Sequence, residues 1–337
     1  MLAITYAIGM RALRRVIPQQ QIANNSKHSL IKAGYYSKMI KDVNNLISLA
    51  LREDVGKGDI TSNTLIPANQ KSVAFVIAKE DGVIAGLPLI KQIFQKISSG
   101  VSVSLKVKDG AKVKKGAKLA VIKGPTRAIL TGERTVLNFI QRLSGIATLT
   151  NKFVQAVKGT KIRILDTRKT VPGWRMLDKY AVKMGGGVNH RIGLFDAVLI
   201  KNNHLKSLER GVRGSEQKTY SMQAIVHALE LARTSKWTKG KTIEIEVRNL
   251  DEFFVALIYL QAYSTGRAVV MLDNMTADKI KEAVKIRNLI KSPVLLEISG
   301  GVNQDSIREY AKSGVDFISV GALTHSPKAL DIALRVQ

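Results

Sequence analysis

Six short apolar segments in the second half of the chain each run into residues able to do chemistry. Segment 162–166 leads into Asp166, Thr167, Arg168, Lys169 and Thr170, and segment 196–200 into Lys201, Asn202, Asn203 and His204. Segment 242–247 carries Glu244 and Glu246, and 268–272 is followed by Asp273 and Asn274. The last two end in Ser299, Gly300 and Gly301, and in Gly321. Arg168, Lys169, Arg191 and Lys201, with His190 as a further donor, suit carboxylates and phosphates, and arginine offers them paired N–H groups. Bare glycine turns can aim backbone N–H groups at a phosphate. Glu246 and Asp273, on different segments, can hold a hard cation such as Mg²⁺ through oxygen. The plainer alternative pairs these carboxylates with the same basic residues. Any one lysine, taken alone on so basic a chain, is best read as solvated surface.

The elements that must position these groups are legible in outline. The six segments are rich in β-branched residues, as parallel strands buried on both faces require, and helical stretches separate most of them. Repeated strand–helix alternation implies right-handed crossovers, in either a barrel or an open doubly wound sheet. Both architectures bind ligands at the carboxyl ends of their strands. One polar strand end carries little weight, because loops are polar. Six in succession, with both signs of charge and two glycine sites, predict an active site there.

The first half reads differently. Val43, Leu46, Ile47 and Leu51 lie at helical spacing, and 72–79 alternates as a strand does. Gly82–Gly86 and Val101–Val107 read as further strands, with a short helix over Leu87–Ile97. Two glycine turns in 109–125 predict a hairpin. A long helix follows Pro125, with Val136, Ile140, Leu143 and Ala147 on one face and Arg134, Asn138 and Gln141 opposite, read as a solvated polar stripe.

Composition bounds the function. The 337 residues suit two domains, and 45% hydrophobic with 23% charged residues is globular. With 53 Lys+Arg against 26 Asp+Glu the net charge is +27, which favours anionic partners: nucleic acid, anionic membrane or phosphate- and carboxylate-bearing metabolites. Zero cysteines exclude disulfides, thiolate metal sites and cysteine nucleophiles, and fit a reducing compartment. No G-x-G-x-x-G fingerprint, P-loop or H-E-x-x-H occurs. The five histidines have no zinc spacing, and His227, among apolar helix residues, reads as structural. Aromatics at 5% offer few platforms for bases, which argues against nucleic acid. No apolar stretch approaches the ~20 residues of a membrane span. Residues 1–41 contain arginines and no acid, the composition of a transit-type segment or a basic tail, and are expected to be poorly ordered.

Longer motifs carry a more specific signal. EDVGKGDIT (53–61), GERTVLNFIQRLSGIAT (132–148), DTRKTVPGWR (166–175) and KYAVKMGGGVNHRIGLFDAVLIKNNH (179–204) are followed by IEIEV (243–247), VMLDN (270–274), SGGV (299–302) and SVGALTH (319–325). On these motifs the chain from about residue 42 resembles the quinolinate phosphoribosyltransferase family, also called nicotinate-nucleotide pyrophosphorylase (carboxylating). The resemblance implies an N-terminal α+β open-faced sandwich over 42–150. It implies a C-terminal incomplete (β/α) TIM-like barrel over 151–337, whose last helix packs back on the first domain. The implied reaction converts quinolinate and 5-phosphoribosyl 1-pyrophosphate, with Mg²⁺, to nicotinate mononucleotide, pyrophosphate and CO₂ in NAD biosynthesis.

The resemblance also implies roles. Lys169, Lys201, Glu246 and Asp273 are expected to be catalytic, with Glu246 and Asp273 holding the metal. Arg134, Arg168, Thr170, His190, Arg191, Ser299, Gly300, Gly301, Gly321 and His325 join them in binding substrates. A homodimer or higher oligomer with shared sites is implied, Arg134 reaching into the partner subunit's site, which overturns the solvated reading of its helix face. The expected location is the cytoplasm, or a mitochondrion or plastid if residues 1–41 are a transit segment. A nicotinate-type transferase without decarboxylation, and a nucleic-acid-binding protein on the same scaffold, are the alternatives.

Overall fold

The computed structural model describes residues 33–209, 222–264 and 266–337, with side chains described from residue 42. Residues 39–337 form one compact unit. Most of the basic extension, residues 1–32, and the expectation about its order lie outside the described residues; the backbone of 33–41 is helical.

The described residues begin with α1 (Ala33–Val55) and the short α2 (Ile60–Leu65), then β1 (Lys71–Ala78), β2 (Gly82–Val83) and α3 (Leu87–Ile97). Next come β3 (Ser102–Leu105), β4 (Lys112–Val113), β5 (Lys118–Pro125) and the 31-residue α4 (Thr126–Ala156). β1, β5 and β3 are antiparallel neighbours. Ala74, Val76 and Ala78 turn to the buried face, joined by Ile122 of β5 and by Ile90, Ile93 and Phe94 of α3. Alternate positions on one face give the period-two pattern that fixes this register. Asp109 caps α3 from outside the helix: its carboxylate accepts from Gly86 N at 2.8 Å and Leu87 N at 3.1 Å.

The hairpin expected over 109–125 does not form. β4 pairs with β2, whereas β5 pairs with β1 and β3. The turn between them is held elsewhere, because Asp81 accepts from Lys115 N at 2.9 Å and binds Lys114 Nζ at 2.7 Å.

The second half contains β6 (Arg163–Leu165), α5 (Arg175–Met184), β7 (Val198–Ile200), α6 (Asn202–Leu208), α7 (Met222–Thr234) and β8 (Ile243–Val247). It continues with α8 (Leu250–Tyr263), β9 (Ala268–Asp273), α9 (Ala277–Leu289), β10 (Leu295–Ser299), α10 (Ile307–Tyr310), β11 (Phe317–Ser319), α11 (Ala322–His325) and β12 (Ile332–Val336). Six parallel strands run in the order β6-β11-β10-β9-β8-β7. The order follows the chain around a ring, and β6 returns to pair with β11, so this is a barrel and not a doubly wound sheet, which would reverse its order. Among the described residues β6 and β7 do not pair, and the barrel is incomplete there. All six strands fall on the six segments singled out by sequence.

β12 corrects a second expectation. The chain's last element is a strand, not a helix, and it pairs antiparallel with β1 from Ala74↔Val336 to Ala78↔Ile332. Its residues alternate: Ile332 and Leu334 are buried and Arg335 is exposed, a period of two that no helix satisfies. Gln141 Nε2 of α4 donates to Ile332 O at 2.7 Å and pins it. The range 151–337 therefore includes a strand of the first domain's sheet. The boundary expected at 150 lies inside α4, which serves both halves.

α4 is the keel between them. Val136, Ile140, Leu143 and Ala147 are fully buried, as their spacing predicts. At Gly145 the connection into β12 crosses so closely that a Cβ would lie 2.2 Å from Lys328 O. Phe139 stacks on Trp174 at 4.7 Å. Arg142 Nη2 reaches both Asp178 of α5 at 3.1 Å and Thr324 O of α11 at 3.2 Å.

Candidate active site

A cavity of about 840 Å³ opens at the carboxyl ends of the barrel strands. Thr167, Arg168 and Lys169 enter it after β6, and His190 and Arg191 from the loop that spans the gap in the barrel. Lys201 follows β7, while Glu246 comes from β8 and Asp273 with Asn274 from the end of β9. Ser299, Gly300 and Gly301 close one wall after β10, and Gly321 and His325 the adjoining wall after β11. The strand-end residues predicted from sequence thus converge on one space.

Two of the predicted residues do not line it. Arg134 is exposed on α4, away from this chain's own cavity. Thr170 Oγ1 accepts from Arg175 Nε at 3.1 Å and so fixes the start of α5; its short side chain is spent on that bond. Other strand-end residues turn out to be structural. Asp166 is fully buried, accepting from Lys179 Nζ at 2.5 Å, Asn189 Nδ2 at 2.7 Å and His190 N at 2.8 Å. That network holds the loop carrying His190. His204 Nδ1 accepts from Lys201 N at 2.8 Å and caps α6. His227, expected to be structural, is exposed on α7.

The positive wall is short of anions. Arg168 Nε and Arg191 Nε are buried and have no hydrogen-bond partner among the described residues. Burial, and then the neighbouring Arg168 charge, depress the Arg191 pKa, the signature of two guanidinium groups crowded together. A buried donor without an acceptor is costly, so a bound carboxylate or phosphate would relieve the strain on this wall.

The acidic wall is built differently. Lys201 Nζ binds Glu246 Oε1 at 2.5 Å, and Asn202 N approaches Glu246 Oε2 at 3.3 Å. The plainer reading of Glu246 as an ion-pair partner is thus correct in part. Asp273 has its pKa raised by burial and then by the Glu246 charge. Two carboxylates that repel each other across an open cavity are the donor set a hard divalent cation takes.

The glycine corner is shaped by contact. Gly300 and Gly301 have φ of 92° and 61°, and a Cβ on Gly300 would meet Asn274 Oδ1 at 2.1 Å. Asn274 itself has φ 53°, and its N–H donates to Ser299 O at 2.9 Å. A Cβ on Gly321 would lie 3.1 Å from Lys169 and 3.2 Å from His325. Backbone N–H groups can approach a ligand here as no side-chain-bearing residue would allow.

Below the cavity floor lies a cluster that the sequence reading did not assemble. His190 Nε2 contacts Glu244 Oε2 at 2.9 Å and Glu297 Oε2 at 3.8 Å, and Ser319 Oγ donates to Glu297 Oε1 at 2.5 Å. Glu297 is fully buried; burial and then the Glu244 charge push its pKa up to about 8. Burial alone would lower the His190 pKa, but the Glu244 hydrogen bond and the charges of Glu244 and Glu297 outweigh it and raise it. The available signal was an acid at mid-strand in an apolar run (LLEIS), two positions before a site residue and so on the same face.

Fold and site together define an α/β-barrel enzyme with a cavity at the carboxyl ends of its strands, basic on one wall, acidic on another and closed by glycine turns. Family models identify it further: the quinolinate phosphoribosyl transferase N-terminal domain matches residues 59–144 and the C-terminal domain residues 146–335. The chain belongs to the quinolinate phosphoribosyl transferase family. It is 37% identical to a mitochondrial decarboxylating quinolinate phosphoribosyltransferase of Nicotiana tabacum, over 99% of this chain and 93% of that protein. It is 39% identical to a probable carboxylating nicotinate-nucleotide pyrophosphorylase of Bacillus subtilis, over 84% of this chain and 90% of that one. The solved nicotinate-nucleotide pyrophosphorylase of Francisella tularensis superposes with a TM-score of 0.75 at 40% identity, covering 88% of this chain and 96% of its own.

Proposed function

We infer that this protein is a decarboxylating quinolinate phosphoribosyltransferase, a pentosyltransferase that makes nicotinate mononucleotide, pyrophosphate and CO₂ for NAD biosynthesis. One observation carries the reading. Two buried arginine Nε groups, without partners among the described residues, share one cavity with a pair of mutually repelling carboxylates and a glycine corner.

The proposed division of labour follows the charge of each side chain. Arg168, Arg191 and His190 hold the two carboxylates of quinolinate. Lys169, Ser299, Gly300, Gly301, Gly321 and His325 form the phosphate side. Glu246 and Asp273 would hold Mg²⁺, which when bound neutralises pyrophosphate and makes it a better leaving group. The pyridine nitrogen attacks the anomeric carbon as the C–O bond to pyrophosphate breaks, and positive charge builds on the ribose. Glu246 and Asp273 face that charge and stabilise it. The carboxylate beside the new cationic nitrogen then leaves as CO₂. Its electron pair stays on the ring carbon, beside the ring cation and under the field of Lys201 and Lys169, until a proton replaces it.

A homodimer with shared sites fits the surface. Arg134 and Asn138 are exposed on α4. Asp59, the N-cap of α2, accepts from Thr131 Oγ1 of α4 at 3.1 Å. Ile60 and Leu65 beside it are 82% and 70% exposed. Exposed apolar side chains of that size, beside a helix that carries an exposed arginine, suit a subunit contact that delivers Arg134 to a neighbouring cavity.

No helix among the described residues is long and apolar enough to cross a membrane. The absence of cysteine supports the cytoplasm, and the acid-free basic segment supports an organelle. A fluorescent protein fused behind residues 1–41 separates the two by where it accumulates.

The activity assay uses purified protein, quinolinate, 5-phosphoribosyl 1-pyrophosphate and Mg²⁺. Equal amounts of CO₂ and nicotinate mononucleotide are expected, with none when nicotinate replaces quinolinate. Nucleotide formed from nicotinate without CO₂ would assign the protein to the nicotinate-type class instead.

A further inference from the structure

The cluster under His190 has no part in the roles just assigned, yet it buries two carboxyl groups around one imidazole. Two glutamates from separate barrel strands, Glu244 on β8 and Glu297 on β10, are 3% and 1% exposed. Neither has a lysine or arginine partner in an ion pair within the described residues. The one basic group between them is His190, at 2.9 Å and 3.8 Å. Glu244 Oε1 is buried with no donor among the described residues, and one oxygen of each carboxyl group lies within 4.8 Å of the other and of a ring nitrogen of His190. A proton on Glu297 would supply the missing donor. Ser319, donating to the other oxygen of Glu297, keeps that carboxyl turned toward Glu244 and His190.

We propose that Glu244, Glu297 and Ser319 are positioning residues that fix the His190 ring, with Nε2–H bonded to the Glu244 carboxylate, a protonated Glu297 supporting Glu244 from the far side, and the imidazole held cationic at the cavity wall. The proposal rests on the quinolinate reading of the cavity and adds a charge-holding device beneath it. His190 contacts the substrate carboxylate, and the three residues act only through it. The Glu244 contact at 2.9 Å and the Glu297 carboxyl at 3.8 Å make a cationic imidazole cheaper than a neutral one, even at this depth. Around the ring, Glu244 and Glu297 favour the charge, and Lys179 of α5 opposes it. Arg191 is adjacent in sequence, and Asp166 is bonded to the His190 backbone N. The raised pKa of His190 and the value of about 8 for Glu297 agree with this arrangement.

The sign of the pH effect follows. A histidine whose pKa is raised holds its charge below that value and loses it as pH climbs through it. Quinolinate KM should therefore rise on the alkaline side of the ordinary histidine value of ~6.5, with the KM for 5-phosphoribosyl 1-pyrophosphate much less affected.

The experiment combines kinetics with ¹⁵N-histidine NMR on the intact protein. In the wild type, His190 should remain doubly protonated well above pH 6.5, whether or not the enzyme is turning over. Glu244→Gln should lower that titration point and raise quinolinate KM at neutral pH by about tenfold, leaving the KM for the phosphoribosyl donor within about twofold. Glu297→Gln, the neutral isostere that still donates to Glu244, should keep quinolinate KM within about threefold of wild type. A neutral His190 at pH 7 in the wild type would overturn the proposal, and this measurement depends on no variant folding. Equal damage from Glu297→Gln and Glu244→Gln would overturn it too. So would one tightly held Zn²⁺ per chain that Glu297→Gln releases, since the same three side chains would then be ligands. Loss of quinolinate turnover in the wild type, with the titration as expected, would count against the functional reading and not against the cluster.

Discussion

Single side chains decide the chemistry, and the least replaceable are those whose partners must come from the ligand. Arg168 Nε is buried and unpartnered among the described residues, so Arg168→Ala removes a contact made only to substrate. Lys201 grips Glu246 at 2.5 Å, so Lys201→Ala also frees the carboxylate on which metal binding is proposed to depend. Each variant should lose at least about 100-fold in kcat/KM, with circular dichroism and melting unchanged within about 1 kcal/mol. Normal quinolinate kinetics in either would remove it from the site. These residues were legible because polar groups at the ends of apolar strands stand out against their own segments. Glu297 and Ser319 were not, because a lone polar residue inside an apolar strand has the same signature whether it faces a helix, a salt bridge or an active site. Thr170 stood in the right motif and still missed the cavity, its hydroxyl bonded to Arg175.

At the level of elements, the joints between the two halves rest on a few polar ties. Asp109 is the clearest: it accepts from Gly86 N and Leu87 N at the start of α3 and from Tyr180 Oη of α5 at 2.6 Å. Burial and that hydrogen bond raise the Tyr180 pKa, so the phenol keeps its proton and donates. Asp109→Ala should cost about 2–4 kcal/mol in stability, read by urea unfolding. Tyr180→Phe should cost about 1 kcal/mol, and neither should move quinolinate KM by more than about twofold. A loss below ~0.5 kcal/mol for Asp109→Ala would show that the cap is satisfied without it. Strand and helix positions were readable here from periodicity, but pairing partners were not. The 109–125 stretch has the right residues for a hairpin, yet Asp81, far off in sequence, captures its turn. The last strand alternates over five residues, too few to outweigh an expected terminal helix until β1 is there to pair with it.

At the scale of the whole molecule, Arg134 makes oligomerisation testable through catalysis. If it serves the neighbouring cavity, Arg134→Ala and Lys201→Ala fail at different sites; random pairing makes about half of the dimers mixed, and each of these carries one intact site of its two. Mixing the two inactive variants after dissociation should restore about a quarter of wild-type activity; no recovery would place Arg134 outside the partner's site. The net charge of +27 belongs to this scale as well. That Arg168, Lys169, Arg191 and Lys201 line the cavity was foreseeable from their motifs, whereas the burial of Lys179 beside Asp166 was not, since composition does not say which lysine a fold will enclose. The edge strand β12 has a consequence in time. A ribosome delivers β1, β5 and β3 long before residues 332–336, so the first sheet emerges with an open hydrogen-bonding rim where β12 will lie. That rim stays available to chaperones, or to the same segment of another nascent chain, for roughly the time needed to make the barrel, tens of seconds at ~5–20 residues per second.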